Sequence, residues 1–145
     1  MKISSSAFAD GQPIPAKYTC DGSDTSTPLA FSDVPKNAKT LALVMDDPDA
    51  PGGTFDHWVV WNIPANTTAV GEGQSPQGVL GRTGFGKNAY GGPCPPGGEH
   101  RYYFKLYALD TSLDLKPGSS KADLERAMKG HIVAEAKTMG RYKRG

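Results

Sequence analysis

Eighteen glycines and twelve prolines, about a fifth of the chain, break up its apolar runs. Glycine reaches left-handed backbone, and proline fixes φ and removes a donor, so a chain of this composition turns often. Between the breaks lie short segments rich in β-branched and aromatic residues. Residues 40–45 (Thr-Leu-Ala-Leu-Val-Met) are continuously apolar, as a strand buried on both faces must be. Residues 57–63 (His-Trp-Val-Val-Trp-Asn-Ile) are similar, and residues 102–109 alternate aromatic with aliphatic side chains. Residues 2–8 alternate weakly, and residues 29–31 form one brief apolar run. Such non-local pieces build a sandwich of sheets. The connection 64–96 carries only weak strand signals.

The C-terminal quarter reads differently. Ser120 with Asp123 makes a short capping box, and Leu124, Met128, Ile132, Glu135, Ala136 and Met139 follow helical spacing. The expectation is a helix split at Gly130 and ended at Gly140, with His131 as a packing or surface residue. The whole reads as one mostly β domain over residues 1–145, with a C-terminal helix or two.

Composition removes several function classes. The formal charge is +1, which gives no electrostatic case for nucleic acid. It is unevenly placed: residues 121–145 hold seven Lys/Arg against three Asp/Glu, residues 1–120 nine against twelve. That suits a solvated basic end or a surface for an acidic partner. No apolar span is long enough for a transmembrane helix, and no signal peptide is visible at Met1, so a cytoplasmic location is expected. There, Cys20 and Cys94 are free thiols by default. Both stand in turn-rich loops, and a bridge or redox pair follows if those loops meet.

Two Pro/Gly loops carry the chemistry. Asp46-Asp47-Pro48-Asp49-Ala50-Pro51 leads to His57, and Gly91-Gly92-Pro93-Cys94-Pro95-Pro96-Gly97-Gly98-Glu99 leads to His100-Arg101-Tyr102. Each delivers a histidine to the start of an apolar strand, which points to one shared pocket containing Asp47, His57 and His100. Imidazole and glycine-loop N–H groups suit a small anion, and histidine makes such a site pH-dependent. Asp49 is placed to pair with Arg101 and brace the loops. Two further chemistries stay open for Asp47, His57 and His100: hydrolysis with a His–Asp base, and a metal site. No Gly-x-Ser-x-Gly elbow marks a nucleophile, and the histidines lack compact metal-ligand spacing, so neither a catalytic residue, a metal nor a cofactor is assigned. Gly81-Arg82-Thr83-Gly84-Phe85-Gly86-Lys87-Asn88 approaches a phosphate-binding loop, but Asn88 replaces the Mg²⁺-binding hydroxyl and no helical pattern follows. It is expected to be a flexible approach to the second loop.

At these residues the chain resembles the phosphatidylethanolamine-binding protein family, which includes the Raf kinase inhibitor protein, and in particular its small bacterial and archaeal branch. The Asp47-Pro48-Asp49-Ala50-Pro51 run with His57, and Gly92-Pro93 with His100-Arg101-Tyr102, resemble the two family signatures. Tyr18-Thr19-Cys20-Asp21-Gly22 and Gly140-Arg141-Tyr142 add to the likeness. The resemblance implies a large antiparallel sheet packed on a smaller one, Greek-key-like, with peripheral helices. It implies a pocket for phosphate-like anions or phospholipid head groups, lined by Asp47, His57, His100 and Tyr102 and rimmed by Pro51, Gly92 and Pro93, with Asp49 and Arg101 in support. It also implies a binding protein and regulator of kinases or proteases rather than an enzyme; sheet-edge or helix pairing into a homodimer is compatible with it. Asp56 stands where animal members tend to have histidine. Their C-terminal extension has no counterpart before Gly145, which favours a shallower anion site.

Overall fold

The computed structural model describes residues 1–145. In chain order the strands are β1 (Lys2–Ser4), β2 (Leu29–Ser32), β3 (Thr40–Asp47), β4 (Phe55–Pro64), β5 (Ala69–Val70), β6 (Val79–Leu80), β7 (His100–Leu109) and β8 (Ile132–Tyr142). One α-helix, α1 (Lys121–Met128), precedes β8, and a 3₁₀ turn spans Ala16–Tyr18. The strands form two antiparallel sheets, ordered β1-β2-β5 and β6-β4-β3-β7-β8.

Strand β3 lies at the centre and is covered on both faces, which accounts for its unbroken apolar run. Leu41, Leu43 and Met45 share a core with Ile3, Leu29, Phe31 and Val70 of the small sheet. Ala42 and Val44 turn the other way, to Val59, Trp61, Leu109 and the helical residues Leu124 and Met128. The large sheet is thus a middle layer between the small sheet and α1. The helix buries Leu124 and Met128, with Ala127 half-buried beside them. Ser120 Oγ accepts from the Asp123 N–H, and the Asp123 carboxylate accepts from the Ser120 N–H; such caps contribute about 1 kcal/mol.

The expected second helix is absent. Residues 132–142 are the strand β8, paired along its length with β7 from His100↔Tyr142 to Leu109↔Ile132. Gly130, at φ +83°, turns the chain between α1 and β8. Ile132, Glu135, Ala136 and Met139, spaced as on a helix, fall on both faces of the strand, and Ala134, Ala136 and Tyr142 pack on the core. The open edge of β7 decides for the strand, because its main-chain groups need partners. Gly140 is therefore no helix cap. It lies in β8, where a side chain would meet Ile14 Cγ1 at 2.5 Å. Residues 2–8 give a strand only at Lys2–Ser4, and the connection 64–96 yields the two-residue strands β5 and β6.

Candidate functional site

The antiparallel order β4-β3-β7 brings the end of β3 and the starts of β4 and β7 to one edge of the large sheet. Asp47 pairs with Phe55, and Asp46 pairs with Tyr103. The loops following β3 and preceding β7 are neighbours for that reason. Asp47, His100 and Tyr102 face the small sheet, as alternation along β3 and β7 requires. His57 needs a further device. The register shifts between Met45↔Trp58 and Asp46↔Asp56, leaving His57 as the extra residue of a bulge. The bulge lets His57 reach Tyr102 while Trp58 enters the same core cluster. Asp46 points the opposite way, into an ion network with Lys105 Nζ (3.0 Å) and Lys121 Nζ (3.2 Å), and Lys121 also holds Asp56 at 2.8 Å.

Hydrogen bonds assign the ring nitrogens. His57 Nδ1 lies 2.7 Å from the Gly91 carbonyl oxygen, which can only accept, so Nδ1 carries a proton and Nε2 is left over. His100 Nδ1 donates to Asp47 Oδ2 at 2.6 Å, which again frees Nε2. The side chains of His100 and Asp47 are 7% and 4% exposed. Burial pushes the His57 imidazolium below its ordinary pKa; the Gly91 carbonyl and Asp47 oppose the shift without cancelling it. Tyr102 stands between the two rings, its centroid 5.2 Å from His57 and 6.5 Å from His100. Its hydroxyl is buried beside the Asp47 carboxylate and the Cys94 main chain, without a hydrogen bond of good geometry to either. Burial, then the charge of Asp47, raises the phenol pKa.

An aromatic wall closes the site. Phe55 and Phe85 pack edge-on against His57 at 5.1 and 5.4 Å, and against each other at 4.9 Å. None of the surface clefts is lined by His57, His100 or Tyr102. The side chains of Asp47, His57, His100 and Tyr102 are themselves buried. Phe85, 44% exposed, stands between His57 and solvent. It comes from the glycine-rich stretch expected to be a flexible approach. That stretch is a closed turn: the Thr83 N–H and hydroxyl donate to the Lys87 carbonyl, and Gly86 N–H donates to Thr83. Gly91 lies directly beneath it, so a side chain there would displace the Phe85 ring.

Loop 91–99 is fastened from two sides. Toward β3, the Arg101 guanidinium grips Asp49 through Nε (2.9 Å) and Nη2 (2.8 Å), and the Arg101 N–H donates to the same carboxylate. Toward the N-terminal segment, Gly92 N–H donates to Asp24 Oδ1 and Cys20 N–H to the Pro93 carbonyl. A side chain on Gly92 would meet Asp24 Oδ1 and the Tyr18 carbonyl at 2.2 and 2.3 Å. Because the two segments lie this close, Cys20 and Cys94 are not free thiols but a disulfide, with Cα atoms 5.4 Å apart. Pro93 is buried beside it, whereas Pro51 is exposed in the turn after β3.

The structure thus gathers Asp47, His57, His100 and Tyr102, keeps Gly92 and Pro93 in the supporting loop, and leaves Pro51 outside. Phe55, Phe85 and the Gly91 carbonyl escaped the sequence reading. Phe55, two residues before His57, had a signal in its position; Phe85 had none, as its turn resembles a phosphate loop. His131 pairs with Asp110 at 2.8 Å on the far surface. No group of three or more His, Cys, Asp or Glu side chains is arranged to hold a metal.

Comparison with known proteins agrees with this fold. A family model described as phosphatidylethanolamine-binding protein matches residues 4–143. A UPF0098 protein of Methanothermobacter thermautotrophicus is 51% identical, with all of both chains covered. The UPF0098 protein PH1269 of Pyrococcus horikoshii is 48% identical over 97% of this chain and 75% of its own. Among solved structures, the phosphatidylethanolamine-binding protein homolog CT736 of Chlamydia trachomatis superposes with a TM-score of 0.96 at 44% identity, covering 99% and 97% of the two chains. YbcL of E. coli, a member of the mammalian PEBP family, gives 0.91 at 33% identity, with 99% and 98% covered.

Proposed function

We propose, for a chain that belongs to the phosphatidylethanolamine-binding protein family, that this site binds a small phosphate-like oxyanion, free or as a phospholipid head group. The observation that carries this reading is the Tyr102 hydroxyl, buried between two imidazoles with no well-formed hydrogen bond and with the Asp47 carboxylate as its neighbouring acceptor. A buried donor left unpaired costs about 1–3 kcal/mol, which an acceptor oxygen recovers. The ring nitrogens fit the same ligand. With Nδ1 of His57 committed to Gly91, the neutral ring offers Nε2 as an acceptor for the P–OH of a singly protonated phosphate. Asp47 turns the His100 ring so that its Nε2 faces away from the carboxylate. The protein acts by holding this ligand, as a regulatory module toward a kinase or protease.

Thermal unfolding with phosphate and with O-phosphoethanolamine tests the reading. Saturation near 100 times Kd stabilises the protein by about 2.7 kcal/mol. His57→Ala and His100→Ala each remove that gain. Absence of a shift with either ligand in the parent protein, up to about 10 mM, would sink the proposal, since a native-state ligand must stabilise.

The 2.6 Å Asp47–His100 pair supports a second reading, a hydrolase with His100 as general base. Turnover of a phosphate or carboxylate ester that disappears in both Asp47→Asn and His100→Ala would put that reading first.

A further inference from the structure

Sheet edges are the weak points of a β fold, because their outward N–H and C=O groups lack partners. Three of the four edges here are very short: β1 has three residues, β5 and β6 two each. The fourth, β8, has eleven. Its far end is covered by the chain itself. Gly11 N–H donates to the Met139 carbonyl, Arg141 N–H to Gln12, Ile14 N–H to Arg141, and Asp10 Oδ1 accepts from Met139 N–H. Met139 and Arg141 therefore point their main-chain groups outward. The register runs unbroken from Tyr142 to Ala134, so Lys137 and Glu135 do the same. No main-chain or side-chain group of the fold takes those of Lys137 and Glu135.

There is room beside them. Clefts of about 470 and 410 Å³ flank this stretch, one bordered by Lys105, Tyr107 and Glu135, the other by Lys2 and Ser4, and both by Ala136 and Lys137. The charge is uneven. Lys105 stands across from Lys137 on β7 and is taken by Asp46, whereas Lys137 has no carboxylate and rests only over the Tyr103 ring at 5.5 Å. Lys2 borders the second cleft as well, and Glu135 is the one carboxylate on the uncovered stretch. We infer that the uncovered stretch of β8 accepts an extended acidic segment of another protein as an added strand, with a carboxylate beside Lys137. A second copy fits badly. In an antiparallel pair centred on Ala136, Val133 of one copy falls opposite Met139 of the other, where residues 10–12 already lie.

The probe is a fluorescein-labelled peptide, Ser-Val-Thr-Asp-Thr-Val-Ser, read by polarisation. Its Kd should fall at about 0.1–1 mM. Methylating alternate backbone nitrogens should weaken it at least about tenfold, because main-chain bonds supply the affinity. Lys137→Glu should weaken it about fivefold and reverse the preference toward the same peptide carrying Lys in place of Asp. That variant should keep its stabilisation by phosphate, and its fold is checked by circular dichroism. In the free protein the amides of Glu135 and Lys137 should exchange with solvent faster than those of Ala134, Ala136 and Thr138; binding should slow them. The inference is overturned by no binding up to about 2 mM, by equal binding of the methylated peptide, or by slow exchange of both amides in the free protein. A dimer of the parent that Lys137→Glu dissolves would also overturn it, by giving the edge to a second copy.

Discussion

The Asp47–His100 and Asp49–Arg101 pairs join the same two loops, with only Pro48 between the aspartates and nothing between the partners. One is enclosed, with side chains 4% and 7% exposed; the other is open, at 28% and 48%. Strand alternation sends His100 inward and Arg101 outward, and that single step decides what each pair does. In the enclosed pair neither partner can be hydrated, so each depends on the other, and the bond fixes which nitrogen of His100 remains for chemistry. In the open pair water competes with both partners, and the bidentate grip holds loop geometry. Near-identical sequence positions thus give a site element and a brace.

The comparison can be broken by weakening the loop without touching either pair. Reducing Cys20–Cys94, or Cys20→Ser with Cys94→Ser, frees a link between residues far apart in sequence and should cost about 4 kcal/mol in denaturant unfolding. Phosphate stabilisation should survive if the pairs hold the loop locally; its loss would show that the disulfide does. Asp47→Ala should cost about 3 kcal/mol and abolish phosphate stabilisation, because it leaves a buried imidazole N–H without a partner.

Acid separates the two regions next. His57 is held below its ordinary pKa, so the unfolded chain takes up that proton first, and its contribution to stability drains as pH falls below about 6.5. His57→Gln should flatten this part of the profile. Arg101 holds the Asp49 carboxyl down at about 2, so the contribution of Asp49 is full above about 4 and lost between there and about 2. The smallest effect should come from Arg101→Ala: a slight destabilisation that shrinks with added salt and leaves phosphate stabilisation intact. A large, salt-independent loss would erase the distinction between the pairs.

Much of the sheet was legible. Residues 40–45, 57–63 and 102–109 are apolar and β-rich because β3, β4 and β7 are its buried middle strands. β8 was not legible, because Ala134, Glu135, Ala136 and Lys137 favour a helix locally and only the unpaired edge of β7 overrules them. Asp47, His57, His100 and Tyr102 could be picked out because Pro/Gly breaks set them at strand mouths. The bulge at His57 could not, since it exists only relative to β3. The reach of Phe85 over His57 depends on a turn whose sequence suggests another purpose. The cysteines show a middle case: their spacing says nothing, and only the docking of loop 91–99 on residues 18–24 makes them neighbours.

Strands β3 and β7 are adjacent at the centre of the sheet, although the whole β4–β6 region separates them in sequence. Closing so long a loop costs entropy before any contact repays it, and sheets dominated by such pairings fold slowly. The ladder that carries Leu43 opposite Leu106 also carries Asp47 to His100. Core and site therefore share one long-range closure: the two histidine loops cannot meet until β3 and β7 have paired.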